Sequence, residues 1–282
     1  MRDTENPGRF DLHTHSVYSD GTTTPAEIAS EVAAAGLAGF ALTDHDTTAG
    51  WDDARSAAVT HGVDVLPGIE LTTHTGNRSA HLLAYGPDPL DLALGEELTR
   101  LRDSRVHRAR AMAKRLSVDF DIDWDPIFAI AGRSVGRPHL ADALVAAGYA
   151  VDRSAAFTMI LSPGGPYYLP IYALDTIEAI RLVRAAGGLP VLAHPAAHRQ
   201  RTPFSDQEIA RLTRAGLWGI ELDHPENLPE WLPALDASAE RHSLVVTGAS
   251  DYHGAGKPNR LGERHSSATL VEMIRAQVAT PR

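Results

Sequence analysis

Apolar and polar positions along the chain follow two alternating signatures. Short apolar runs, each bounded by Gly, Pro or acidic residues, are separated by longer stretches of helical period. The runs at 10–16 (FDLHTHS), 39–46 (GFALTDHD), 63–73 (VDVLPGIELTT), 79–86 (SAHLLAYG), 189–195 (LPVLAHP), 219–225 (GIELDHP) and 243–254 (SLVVTGASDYHG) predict strands. The segments 24–36, 49–62, 175–188, 205–216, 228–241 and 266–278 predict helices. Thr24 with Glu27, and Ser205 with Glu208, have the spacing of capping boxes, and Pro25 suits a first helical position. Between about Pro89 and Pro170 the alternation pauses and the pattern turns mostly helical. A charged amphipathic helix is expected at 100–117, with shorter pieces at 124–131, 138–147 and 153–161. Short apolar strands separated by helices predict parallel pairing with helices outside, hence a barrel or a doubly wound sheet.

Composition narrows this picture little. A chain of 282 residues forms one large α/β domain or one domain with an insertion. The sequence has no apolar run near the about 18 residues of a transmembrane helix. Its polar start, MRDTENPGRF, predicts no secretory signal. Cysteine is absent, so thiolate metal sites are excluded and a cytoplasmic setting is expected. The net charge of −10 argues against a surface that coats nucleic acid. A small phosphorylated substrate stays compatible, because bound cations reverse the local sign. All but Lys114 and Lys257 of the basic residues are arginine, which reads as a composition bias.

The informative feature is where the polar residues fall. The apolar strands end in acids or histidines: HTH at 13–15, DHD at 44–46, IE at 69–70, AH at 193–194, IELDH at 220–224 and SDYH at 250–253. His81 stands nearer the start of its strand. His13 and His15, two apart, share one face of a strand. The C-terminal strand ends of a β/α barrel form one rim, so these groups would converge there. His61, His107, His242 and His265 fall at a helix end or in polar stretches and are left out; His74 and His198 are ambiguous. The sequence has no thiolate nucleophile, serine-hydrolase elbow, P-loop or dinucleotide loop. A cluster of oxygen and nitrogen donors suits manganese, zinc or iron, which activate water and clamp an in-line displacement at phosphorus.

Together HTHSVYSDG, LTDHD, GIE, AHP and SDYHG resemble the motifs of the PHP phosphoesterases, named for polymerase and histidinol phosphatase. The resemblance runs from about Phe10 to Gly262 and leaves out the helical middle. It implies a distorted (β/α)7 barrel, 1–88 and 173–282, with a mostly helical insertion or cap at 89–172. It implies up to three divalent metals, most often manganese. His13, His15, Glu70 and Asp251 would hold one metal. Glu70 would bridge to a second, completed by His81 and His194, while Asp20, His45 and His253 would form a third set. Asp44 would orient an imidazole from behind. VYSDGTTTPAEI, HLLAYG, GRPHLA and the insertion are most similar to the branch containing nucleoside 3′,5′-bisphosphate phosphatases. There Arg137 is implied as a phosphate contact, with His139 facing the site or packing. His224 is a candidate substrate contact or general acid, and Arg199, Arg201 and Lys257 are candidate phosphate contacts.

The expected reaction is hydrolysis of a small nucleotide's phosphate monoester by metal-activated hydroxide. Trimming of short oligonucleotides from the 5′ end, histidinol-phosphate hydrolysis and cyclic-phosphate cleavage stay open. So do an amidohydrolase and a non-catalytic metal-dependent module. Against the amidohydrolase, neither lysine falls in an expected strand, where many binuclear members use a carboxylated one.

Overall fold

The computed structural model describes residues 8–131, 135–198 and 200–278. Ten helices and nine strands are found among them, in a mixed α/β fold whose sheet is a nearly closed barrel. The first half comprises β1 (Arg9–Thr14), α1 (Pro25–Ala34), β2 (Gly39–Leu42), α2 (Trp51–His61), β3 (Asp64–Thr75) and β4 (Arg78–Tyr85). Four helices follow: α3 (Leu92–Leu116), α4 (Trp124–Ala131), α5 (Arg137–Ala146) and α6 (Arg153–Met159). The rest is β5 (Leu174–Asp175), α7 (Thr176–Ala185), β6 (Leu189–Leu192), α8 (Asp206–Ala215), β7 (Gly219–Asp223), α9 (Leu232–Arg241), β8 (Val245–Gly248), β9 (Ser266–Ser267) and α10 (Ala268–Val278).

The sheet order is β8-β7-β6-β4-β3-β2-β1-β9, with β5 added to the end of β3. Beyond β8 the chain returns to β1: Tyr252 N–H donates to His13 O (3.2 Å) and His15 N–H to Tyr252 O (2.8 Å). Parallel pairing holds for β1–β2–β3 and for β6–β7–β8. It fails at β4, which runs antiparallel to both β3 and β6. The physical reason is the connection. A turn at Gly76 and Asn77, with Gly76 at φ 58°, joins β3 to β4 directly. So short a link permits only an antiparallel neighbour, since a parallel one needs a long crossover. The reversal also explains His81: a residue near the start of an antiparallel strand lies at the same rim as the ends of its parallel neighbours.

Both expected capping boxes are present. Thr24 N–H donates to Glu27 Oε2 (2.7 Å) while Glu27 N–H donates to Thr24 Oγ1 (3.2 Å), and Ser205 with Glu208 repeats the pattern. The charged helix begins earlier than expected, at Leu92, because Asp91 accepts the Leu94 N–H (2.8 Å) and caps it there. The two-residue strands β5 and β9 are too short to leave a periodic signal.

The main core lies between the strands and the helices α1, α2 and α7–α9, with Ile28, Phe40, Leu42, Ile69, Leu71 and Ile220 fully buried. A second cluster covers the other face of the strands, where Phe10, Leu12, Leu66, Leu83 and Val191 meet Val271 and Ile274 of α10. A third belongs to the helical segment and includes Met112, Leu116, Leu140 and Leu144. Helix α3 serves two of them: Leu94, Leu98 and Leu101 pack in the main core, and Met112 and Leu116 in the third. No helix among the described residues is long and apolar enough to cross a membrane.

Candidate metal centre

At one rim of the barrel the strand ends deliver imidazoles and carboxylates to a single buried cluster. Glu70, from β3, lies at its centre. Its Oε1 is 2.8 Å from His81 Nδ1 and 2.9 Å from His194 Nε2. Its Oε2 faces His15 Nε2 (3.1 Å), His45 Nδ1 (3.2 Å) and His13 Nε2 (3.3 Å). Each oxygen thus serves a different set of rings. Asp251 Oδ1 stands 3.5 Å from His13 Nε2 and 3.4 Å from His15 Nε2. On the outer side Asp20 meets His253 Nε2 (3.2 Å) and His45 Nε2 (3.8 Å). Asp46, His194 and Asp251 have φ of 55°, 29° and 56°, backbone that L residues rarely adopt and that collects at functional sites.

Groups behind the rings fix which nitrogen carries the proton. Asp44 accepts Ser16 N–H (2.8 Å), Ser16 Oγ–H (2.7 Å) and Ser19 Oγ–H (2.6 Å). With its own proton committed, Ser19 Oγ accepts from His15 Nδ1 (3.3 Å), so Asp44 orients an imidazole through a serine. His253 Nδ1 donates to Asp251 O (2.8 Å), which turns Nε2 toward Asp20. His13 and His15 bring their Nε2 atoms within 3.1 Å of each other. Two nitrogens that close cannot both present lone pairs, so a proton or a metal ion must lie between them. Asp251 Oδ1, fully buried without a hydrogen-bond partner, points to the same need.

The electrostatics agree. Burial opposes the charge on Glu70, yet His81, His45 and His13 outweigh it and hold the carboxyl well below its ordinary range. Burial is likewise overcome at Asp20 by His253 and His45, and at Asp251 by Lys257 and His13, so both acids also stay ionised. In return, Asp251 and Glu70 hold His15 at about 9 against burial. So many buried carboxylates need positive charge, from protons or from metal ions. The residues therefore fit divalent cations: hard oxygen donors and imidazole nitrogens, with no sulfur.

Every expected ligand falls into one of three overlapping groups whose donor atoms converge, His194 excepted: His13, His15, Glu70 and Asp251; His15, Asp20, His45 and His253; and His45, Glu70 and His81. His194 reaches the cluster through Glu70.

The remaining candidates stand differently. His224, with its side chain fully buried, accepts the Glu226 N–H on Nδ1 (3.1 Å). The neutral ring therefore carries its proton on Nε2, which faces Asp251 Oδ2 at 3.6 Å. At 3.6 Å this is beyond hydrogen-bond reach, and the buried Nε2 has no hydrogen-bond partner among the described residues. Lys257 is expected on phosphate, but its ammonium lies 2.5 Å from Asp251 Oδ2 and 3.2 Å from Glu226 Oε1. Arg137 donates to Leu161 O (3.3 Å) and packs against the rings of Phe157 and Tyr168. His139, pushed down by burial, accepts the Gly136 N–H on Nδ1 (3.1 Å) at the start of α5. Arg201 is exposed, and Arg199 lies outside the described residues.

Sequence reasoning passed over several residues. Glu221, in the middle of β7, is fully buried beside His13. Asp46 binds Thr72 N–H (2.8 Å) and Arg105 (2.7 Å), joining α3 to the rim. Asp11 accepts N–H groups of His13, Ser250 and Gly262, tying β1 to the loops after β8. The available signal was an acid inside an apolar strand, as in GIELD and FDL.

A barrel whose rim gathers these groups defines a metal-binding β/α enzyme scaffold, and comparison with known proteins is specific. Residues 11–105 match the family described as PHP domain. The chain is 32% identical over 260 residues to the 3′,5′-nucleoside bisphosphate phosphatase of Chromobacterium violaceum, covering 89% of each. It is 29% identical to a 5′-3′ exoribonuclease of Haemophilus influenzae, covering 87% of this chain and 90% of the relative. A crystal structure from Bifidobacterium adolescentis, assigned to the metal-dependent phosphoesterases, superposes with a TM-score of 0.93 at 41% identity, covering 95% of this chain and 96% of that one. A Chromobacterium violaceum structure described as an amidohydrolase with bound sulfate gives 0.85 at 30% identity over the same shares. The chain belongs to the PHP family of metal-dependent phosphoesterases. It is accordingly a hydrolase of phosphoric esters.

Proposed function

We propose that this enzyme removes phosphate from small nucleotides, nucleoside 3′,5′-bisphosphates above all. The observation that carries the reading is Glu70, whose two oxygens face separate sets of imidazoles and so suit a bridging ligand. In this reading His13, His15, Glu70 and Asp251 hold one cation, Glu70, His81 and His194 a second, and Asp20, His45 and His253 a third, with manganese the favoured ion. Divalent cations so held supply Lewis acidity and acidify water. Seven strands form the barrel proper, and the segment 89–172 acts as a cap over its rim. Arg137, with Arg108 beside it, holds phosphate oxygens from the cap; burial and the Arg137 charge push Arg108 down to about 10, which an anion between them would relieve. Lys257 steadies Asp251, and the unpartnered Nε2–H of His224 stands ready beside it for a substrate oxygen. Water attacks phosphorus in line, the P–O bond to the alcohol breaks, and a proton given up by the attacking water ends on the leaving alcohol. Similarity to the Chromobacterium bisphosphate phosphatase supports the substrate class, and the sulfate held by the structure from the same organism is a tetrahedral oxyanion like phosphate.

Similarity to exoribonucleases over nearly the whole chain favours one second reading, removal of nucleotides from the 5′ end of short RNA. The test is a substrate panel on manganese-reconstituted protein with metal content measured in the same sample. It compares adenosine 3′,5′-bisphosphate, a 5′-phosphorylated oligoribonucleotide, a cyclic phosphate and histidinol phosphate. Fastest turnover of the bisphosphate is expected. Preference for any other substrate, or full turnover after complete chelation, refutes the proposal.

A further inference from the structure

We propose that Glu221 is a positioning residue that fixes two of the imidazoles of the metal centre at once. The inference rests on the reading of that centre given above. Glu221 is fully buried on β7 and spends both oxygens on N–H groups of other strands. Its Oε1 lies 3.0 Å from His13 Nδ1, with Oε2 at 3.3 Å. A carboxylate oxygen approaches a ring nitrogen that closely only when the nitrogen carries hydrogen. His13 is therefore the Nδ1–H tautomer, and its lone pair is on Nε2. That lone pair faces Glu70 Oε2, Asp251 Oδ1 and His15 Nε2 at 3.3, 3.5 and 3.1 Å.

The second oxygen acts on a different strand end. Glu221 Oε2 accepts the backbone N–H of His194 at 2.9 Å. His194 holds a left-handed backbone, φ 29°, that needs such restraint, and its Nε2 then reaches Glu70 Oε1 at 2.9 Å. His13 and His194 stack with ring centroids 5.7 Å apart. One carboxylate thus sets the tautomer of a ring on one side of Glu70 and the backbone of a ring on the other. Glu221 also converges with His13 and His224, but both its oxygens are committed to N–H donors, which favours a place behind the rings over direct ligation. Carboxylates behind ligating imidazoles raise their basicity and fix their orientation, and losing one costs about 10–100-fold in metal affinity.

The experiment measures manganese binding to the full chain by calorimetry, with stoichiometry by elemental analysis. Glu221→Gln keeps the volume but turns a donor toward one of the two N–H groups. It should bind manganese about 10–100-fold more weakly. Cobalt-substituted protein should show altered visible bands, a signature that a purely structural role would leave alone. Glu221→Asp keeps the charge but withdraws the oxygens, and should fall between Gln and wild type. In a His13→Ala background the Glu221→Gln change should cost less than in wild type, because one of its two targets is gone. Wild-type affinity in Glu221→Gln, or an equal loss with and without His13, overturns this inference alone. Wild-type protein that binds no manganese overturns the metal centre and this inference together.

Discussion

Replacing Arg105 by methionine removes the charge that faces a fully buried carboxylate. The Asp46 side chain is 0% exposed, with Arg105 Nε 2.7 Å from its Oδ2. Arg105 also reaches Thr72 Oγ1, and Arg102 donates to Asp46 O (2.7 Å), so α3 is fastened to the β2 and β3 ends of the rim. Burial works against the Arg105 charge, but Asp46 and Asp20 outweigh it and keep its pKa above the ordinary value. Methionine fills the aliphatic space and leaves the buried Asp46 carboxylate with only the two Thr72 donors. Stranding one partner of a buried pair costs about 3–5 kcal/mol. At about 2–4 °C per kcal/mol for a large domain, Tm should fall by roughly 6–20 °C. The measurement belongs in chelator, so that metal binding does not shift Tm by mass action. The Asp46→Asn, Arg105→Met double variant should lose clearly less than the two single losses summed, since neutral Asn needs no counter-charge. A fall in Tm under about 2 °C, or strict additivity, refutes the claim that this pair is a desolvated ion pair.

Three further outcomes follow from other parts of the molecule. Arg275 hydrogen-bonds both oxygens of Asp64 (2.6 and 2.7 Å) and holds that acid below its ordinary range. A lowered carboxyl contributes stability above the unfolded pKa, near about 3.9, and loses it as pH falls through the folded value. Asp64→Asn should thus cost about 0.5–1 kcal/mol at pH 7, discounted because the pair is nearly half exposed, with the deficit vanishing as the pH of the melts falls through the folded value; a deficit that is flat with pH contradicts it. Leu144→Ala, deep in the third core, should cost about 2–5 kcal/mol and open the helical segment to protease, while manganese stoichiometry stays at the wild-type value. Loss of metal in that variant would show that the rim cannot form without the third core. Arg137→Ala should raise KM for a bisphosphate by about 10–100-fold with metal content unchanged, the worth of a charge-assisted contact; unchanged KM removes Arg137 from the substrate.

The identities of the rim residues were legible along the chain because each is a local exception. His13, His45, Glu70 and Asp251 are polar or charged groups at or just past the end of short apolar runs, and few other pressures put them there. Helix starts were equally local, since the capping boxes at Thr24 and Ser205 need only four consecutive residues. The order of the sheet and its direction are not local properties. Parallel and antiparallel strands share the same alternation of side chains; the short link at Gly76 and Asn77 reverses β4 against β3, but its pairing with β6, far along the chain, followed only from the tertiary structure. Proton positions depended on tertiary structure most of all. Lys257, His224 and Glu221 look alike in sequence, as polar residues in or near strand ends. Contacts separated them: Lys257 pairs with nearby Asp251, His224 takes its tautomer from the neighbouring Glu226 N–H, and only Glu221 reaches across the molecule, to His13 of β1. The chain by itself determines which chemical groups are available; their protonation and aim are decided by neighbours up to two hundred residues away, because hydrogen bonding and desolvation act through space.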